Sequence, residues 1–366
     1  MLRRIGLWEA PGRQIFRYYG VVFWMGLILI GPKAILGSGK EGFDSLARNT
    51  AELIFFTEVC ISIGIFATRG ESFRKLVQVL RESIGLYDSR QCLNEIGAFN
   101  RKMELFAKSY AAYIAFLVVM FLGVPFASTL FKLFFPHEGE YLLIVEIQFY
   151  WLDIRQNLLH NIVYLIFCST AIFCSAYQSS MKGAVILVII QYGTKLFDLI
   201  RSEIGQLHKV STDKNRKAKL RTIIEQHKLA LKYTKHLEDT VNFILINQIL
   251  NCILIWCLMM FYVSTNFGPN AVTVIILFVV LMGEMVVYCV NGTMLSESAA
   301  AVGHAIYHHP WYEETVGLQK DMQLVMRRAQ RPTGITAAKF YFVNIERLGL
   351  VVQASYSYYL ILKKNF

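Results

Sequence analysis

Six residues near the C-terminus, Glu346, Leu350, Gln353, Ser357, Ile361 and Lys364, follow one another at steps of four, three, four, four and three. That spacing puts them on one face of a single helix. The face begins acidic, carries small polar groups midway, turns aliphatic at Leu360, Ile361 and Leu362, and ends basic. Two chemistries fit this order. The face is either the wall of a water-filled pore with an aliphatic plug that blocks ions by dewetting until it widens, or a set of polar groups such as Gln353 and Ser357 that hydrogen-bond to neighbouring helices. Glu58 and Glu284 stand near the middle of apolar runs with no basic residue close in sequence. Ionisable groups so placed are functional candidates by default. Each either faces a water-filled cavity or is protonated and hydrogen-bonded in the interior.

Aromatic and flexible side chains gather in the same runs: Phe55, Phe56, Val59, Phe116, Met120, Phe121, Tyr164, Phe167 and Phe278. Together they suit a small, volatile, mostly apolar ligand held by area burial and one or two polar contacts. For any single member, core or lipid-facing packing is the commoner role. A ligand of about ten heavy atoms gaining roughly 0.7 kcal/mol per atom would bind at about 10 μM. Covalent chemistry has no foothold, because the chain carries no GxxxxGK[ST] loop, no HExxH and no paired-cysteine metal motif. No enzyme activity, metal or cofactor is expected.

The elements that must position these residues are apolar runs of membrane-spanning length, about 20 residues each. Seven are legible, at 18–36, 51–67, 110–131, 158–177, 243–263, 272–290 and 341–362. With 55% hydrophobic and 14% aromatic residues and a mean hydropathy of +0.42, the chain has too little polar surface for a water-soluble protein of 366 residues. The expected fold class is therefore an all-α polytopic membrane protein, one heptahelical domain over 1–366.

Charge sets its orientation. Four basic residues (Arg3, Arg4, Arg13, Arg17) precede the first run, eight fall between the second and third, eleven between the fourth and fifth, and five between the sixth and seventh. The other side receives only seven: Lys33, Lys40, Arg48, Lys132, Arg155, Lys363 and Lys364. Basic loops stay cytoplasmic, so the N-terminus is expected inside and the C-terminus outside. The net charge of +11 then reads as a topology signal facing anionic lipid rather than a nucleic-acid footprint. All seven cysteines lie in apolar runs or inward loops, and no extracellular disulfide is expected. The basic, mixed start of the chain leads into a run long enough to span, which reads as a signal anchor rather than a cleaved peptide.

The fourth run continues past Lys182 through 185–192 to Ile200, and before the fifth run Leu220, Ile223, Ile224, Leu231 and Leu237 recur at roughly helical spacing among lysines. A one-sided apolar stripe needs a partner. Helices four to seven are therefore expected to continue into a cytoplasmic anchor built from about 182–242 and 291–340, below a final pore helix at about 341–364. Outside the membrane little is left: an acidic segment at 132–157, with Glu138, Glu140, Glu146 and Asp153, and a short turn near 266–270. The sequon Asn291-Gly292-Thr293 falls at the inner end of the sixth run and is discounted.

The last 80 or so residues resemble the insect odorant receptors, inverted seven-helix subunits of ligand-gated cation channels. The resemblance rests on Gly292 to Glu297, the alanine-rich 298–306, Tyr307 and Trp311-Tyr312, and more specifically on Lys339-Phe340 followed by Ser355-Tyr356-Ser357-Tyr358-Tyr359-Leu360. Beside the family's shared co-receptor, Lys339-Phe340, Ala354 and Tyr358 match in type, and Ile361 falls where the co-receptor has the valine of its gate. The chain lacks the co-receptor's long insertion between helices four and five and carries Lys363 and Lys364 near the mouth. Both departures point to a ligand-tuning receptor. The resemblance implies a plasma-membrane tetramer with the co-receptor around one pore, in olfactory neuron dendrites, opened by a small volatile odorant. Four copies of Lys364 around one cation path would repel the permeant ion, which favours the heteromer. A gustatory receptor is the nearer competitor, although its Thr-Tyr-x-x-x-x-Gln-Phe ending is only partly matched by Ser357-Tyr358. A G-protein-coupled receptor is disfavoured by the inward N-terminus and by the absence of an Asp-Arg-Tyr and an Asn-Pro-x-x-Tyr motif.

Overall fold

Long apolar runs satisfy their backbone groups most simply as helices, and they do so here. In a computed structural model of the chain, residues 20–37, 42–87, 89–135, 140–209, 212–266 and 269–365 are described. Helix α1 covers Gly20–Ile35, α2 Phe43–Thr68, α3 Gly70–Ile84, α4 Arg90–Phe134 and α5 Leu158–Gly205. Then come α6 Asp213–Thr265, α7 Pro269–His308, α8 Val316–Ala329 and α9 Ile345–Asn365. Five of these, α2, α4, α5, α6 and α7, are long and apolar enough to cross a membrane. The basic residues Arg3, Arg4, Arg13, Arg17 and Lys40, and Glu138 of the acidic segment, lie outside the described residues.

Three expectations change. The fold is mostly helical rather than all-α, because Thr336–Ala337 (β1) pairs antiparallel with Tyr341–Phe342 (β2). Ala338 and Lys339 close that hairpin with φ of 48° and 65°. The hairpin is pinned to α6 by a bond from Thr336 to the Glu238 carboxylate and by Lys339 at 3.3 Å from Asp239. The final helix consequently starts at Ile345 rather than at 341. At Gly292 on α7 an added Cβ would overlap the Val343 carbonyl, so only glycine lets the strand approach.

The second change is in α4, which runs 45 residues and takes in part of the basic segment before position 110; α3 takes in another part. The third is in the acidic segment. Its middle packs into the protein: Leu143, Ile144, Val145 and Ile147 are all but fully buried, while Trp151 stays exposed. Four apolar side chains gain more by leaving water than the strand of backbone loses, and Gln148 N–H donates to the Gly37 carbonyl to hold it down.

Two cores result. The larger joins α3, α8 and parts of α2, α5, α6, α7 and the hairpin, with Phe73, Ile200, Leu220, Ile223, Leu237, Leu295 and Met322 buried in it. The stripe on α6 is thus covered by the same chain. The smaller core joins α1, α2, α5 and residues 143–154. Helix α9 packs on α6 and α7 through one side.

Candidate ligand cavity and exposed final helix

Between α2, α4, α5 and α7 lies a cavity of about 90 Å³, roofed by Val145 from the buried segment. Its walls are mostly aliphatic and aromatic, with Ser175, Ser179, Ser180, Glu52 and Glu284 among them. Phe55, Phe56 and Val59 come from α2, Phe121 from α4, and Ile172 from α5. A hole of this size exceeds the roughly 15 Å³ a water needs but falls short of the ~150 Å³ that takes up benzene in a protein core. A ligand of ten heavy atoms therefore enters only if the rings swing.

The nine aromatic and flexible residues expected to form a ligand site separate into four groups. Phe55, Phe56, Val59 and Phe121 line the cavity. Tyr164 is fully buried beside it, and its hydroxyl accepts from the Val145 N–H at 3.0 Å and donates to the Val145 carbonyl at 2.9 Å. It supports the roof rather than the wall. Phe278 on α7 turns towards Trp256, with ring centroids 6.1 Å apart. Phe116, Met120 and Phe167 are 60%, 46% and 41% exposed and face away. Helical geometry accounts for this: Met120 is one residue, about 100°, around α4 from Phe121.

Two polar clusters flank the cavity. At one end Glu52 takes Lys33 Nζ at 2.7 Å and Arg48 Nε at 2.8 Å. Its Oε2 also accepts the Glu146 N–H at 3.1 Å, while Lys33 donates to the Glu146 carbonyl. Arg48 stands 3.8 Å from the Glu146 carboxylate and 5.5 Å from the Tyr262 ring centroid, and Arg155 meets Glu146 at 3.3 Å. Lys33, Arg48, Glu52 and Glu146 are each at least nine-tenths buried. Sequence reasoning took Lys33 and Arg48 only as topology markers and missed Glu52; the signal available was the i,i+4 spacing of Arg48 and Glu52 at the start of an apolar run.

At the other end Glu58 and Glu284 share a neighbourhood. Glu58 accepts from Ser62 and, at 3.4 Å, from Asn247. Glu284 accepts from Tyr288 at 3.0 Å and Gln248 at 3.2 Å, with Lys182 at 3.9 Å. Lys182 is 2% exposed. The basic partner that Glu284 lacks in sequence is supplied from α5, 102 residues away by numbering. Glu284 borders the cavity; Glu58 does not.

On α9 the face read from the sequence is the open one. Glu346, Leu350, Gln353, Ser357, Leu360, Ile361 and Lys364 are all exposed in the single chain, whereas Val351 and Ser355 on the opposite side are buried. Ser357 donates to its own helix, to the Gln353 carbonyl at 2.9 Å, rather than to a neighbour.

A helical membrane protein with an apolar cavity among its long helices and a terminal helix left uncovered along one side is a receptor-like architecture rather than a catalytic one. Residues 45–356 match the family model for the 7tm odorant receptors, and the chain belongs to that family; it is a receptor and not an enzyme. It is 21% identical to odorant receptor 13a of Drosophila melanogaster, over 88% of this chain and 82% of that one. It is 20% identical to the odorant receptor coreceptor of Ooceraea biroi, over 99% and 97%. The fold is similar to that of the olfactory receptor OR5 from Machilis hrabei in complex with eugenol, with a TM-score of 0.80 at 15% identity, covering 98% of this chain and 91% of that one.

Proposed function

We propose that this chain is the odorant-binding, tuning subunit of a ligand-gated non-selective cation channel. It crosses the plasma membrane seven times, N-terminus inside, and assembles with the odorant receptor co-receptor into a tetramer. The cytoplasmic anchor comprises about 182–242 and 291–340, and α9 contributes the pore wall with Ile361 as its aliphatic gate. The observation that carries this reading is the separation of two features in one chain. The cavity lies among α2, α4, α5 and α7, while the face of α9 from Glu346 to Lys364 is left exposed by the described residues of the same chain. A mostly apolar site among helices suits a small volatile molecule. An uncovered helix face with an aliphatic girdle suits a shared axis. The match to both odorant receptors and co-receptors supports the assembly, and the eugenol bound by the similar olfactory receptor supports a small aromatic or apolar ligand.

The test is to express the chain with and without a co-receptor in a non-neuronal cell and record currents to a panel of volatiles. Odorant-evoked current is expected only with both chains, and Phe121→Ala should reorder the panel with surface expression unaltered. Equal currents from the chain alone would favour a homomeric channel, and unchanged dose-response curves for Phe121→Ala would remove the cavity as the ligand site. An epitope after Phe366 should be labelled on intact cells and one at Met1 should not.

A further inference from the structure

The polar groups around the cavity are unevenly matched between donors and acceptors. Ser175 and Ser180 already donate their hydroxyl hydrogens to the carbonyls of Ile172 and Ala176. The roof residue Val145 uses both backbone groups on Tyr164. Glu52, which also lines the cavity, already accepts three hydrogen bonds, from Lys33, Arg48 and the Glu146 N–H. The hydroxyls of Ser179 and Tyr110 also line the cavity, and the largest acceptor capacity beside it is on Glu284. A carboxylate offers about four lone-pair positions. Tyr288 takes one on Oε1 and Gln248 one on Oε2, and Lys182 at 3.9 Å is beyond hydrogen-bonding reach. Among the described residues, two positions stay open on a group that borders a mostly apolar hole.

We propose that this cavity selects small, largely apolar molecules bearing one hydrogen-bond donor, a hydroxyl or an amine, and that Glu284 is the acceptor that selects them. The proposal rests on the cavity being the ligand site. A donor head completes the coordination of Glu284, whereas an ether or ester oxygen in the same place sets lone pair against lone pair. A hydrogen bond to a charged acceptor is strong enough to separate matched ligands by about tenfold or more.

The test compares a primary alcohol, the amine, the methyl ether and the aldehyde of one carbon skeleton. Currents are recorded from the full chain with co-receptor, and thermal shifts are measured on the purified complex with each compound at millimolar concentration. In the wild type, at least one donor-headed compound should be about tenfold or more potent than the ether; the alcohol and amine arms tell a neutral donor from a cation. Glu284→Gln brings an N–H₂ to the same place, so the donor preference should fall to within about threefold. Glu284→Asp keeps the charge but withdraws it by one methylene, and should weaken the donor compounds while leaving the ether unchanged. An ether as potent as the alcohol and amine in the wild type, a donor preference that survives both substitutions, or a series that neither activates nor shifts the complex overturns the proposal. Phe121→Ala separates the two levels. If it alters potency while Glu284→Gln leaves the preference intact, only the donor selection falls; if it alters nothing, the ligand site itself is elsewhere.

Discussion

The core around α3 and α8 is made of aliphatic and aromatic side chains such as Leu76, Ile223, Leu237 and Val325, with polar groups such as His227 set into it singly. The core beside the cavity surrounds its apolar residues with ion pairs, Lys33 and Arg48 on Glu52 and Arg155 on Glu146. The two tolerate change differently. An apolar core loses stability in proportion to the methyl groups removed, whereas removing one member of a buried ionic set strands the others in low dielectric. Near-isosteric polar substitutions should therefore be far more damaging next to the cavity than near-isosteric apolar ones are around α8.

Glu52→Gln makes the largest expected difference. It keeps the volume but leaves Lys33 and Arg48 without their shared partner, at a cost of roughly 3–5 kcal/mol. That is a large part of a typical folding free energy of about 5–15 kcal/mol, so surface expression should collapse. Ile223→Val, as close to isosteric in the other core, should cost about 0.5–1.5 kcal/mol. Thermal unfolding of the two variants in detergent makes the comparison; equal costs would break the contrast.

Acid should reach the apolar core through His227. This imidazole is 4% exposed with no hydrogen-bond partner for Nε2 among the described residues. Burial, and then the nearby charge of Arg328, push its pKa down to about 4. An unfolded chain binds the proton near pH 6.5, so below that the unfolded state holds more protons and stability falls as pH falls. The loss should approach about 2 kcal/mol at pH 5 and level off near pH 4. His227→Leu should flatten the slope of melting temperature between pH 7 and 5; a slope unchanged in the variant assigns it to other groups.

Tyr164→Phe sharpens the contrast from the cavity side without touching a charge. Both backbone groups of Val145 lose their partner, for roughly 1–2 kcal/mol. The roof should loosen, so odorant potency should shift more than expression does. A variant with wild-type potency would show that the roof is held by the ion pairs alone.

What could be read from the sequence follows the same division. The stripe on α6 was visible because Leu220, Ile223 and Leu237 are close in sequence, and periodicity is a local signal. The open face of α9 was visible for the same reason. The ionic core was not: Glu146 lies 94 residues from Glu52 and 113 from Lys33, and no pattern within one helix announces such a meeting. The sinking of 143–147 was hidden because the acidic residues around it suggested water, while their partners Arg48 and Arg155 were counted elsewhere. The β hairpin, with two-residue strands, is too short to carry an alternation. Within the cavity, one-residue shifts such as Phe121 against Met120 decided which rings face inward, and composition cannot resolve a single helical step.

The smallest effect on stability, and the most specific one on function, is expected on α9. Its inner side belongs to the apolar core through Val351, but Ile361 is 55% exposed and touches that core little. Val351→Ser should therefore destabilise the chain by about 1–3 kcal/mol, whereas Ile361→Ser should leave its melting temperature within about 0.5 kcal/mol of wild type. If four such helices line a pore, the serine hydrates the aliphatic constriction that excludes ions by dewetting, and current without odorant should rise. Lys364, about one turn further on, lies within a Debye length of roughly 8 Å of the same path. Lys364→Gln should raise single-channel conductance without moving odorant potency, because the charge acts on the permeating cation and not on the cavity. Recordings with resting current, conductance and selectivity all at wild-type values in both variants would mean that this face of α9 meets a neighbouring helix instead of water, which is the other chemistry its spacing allows.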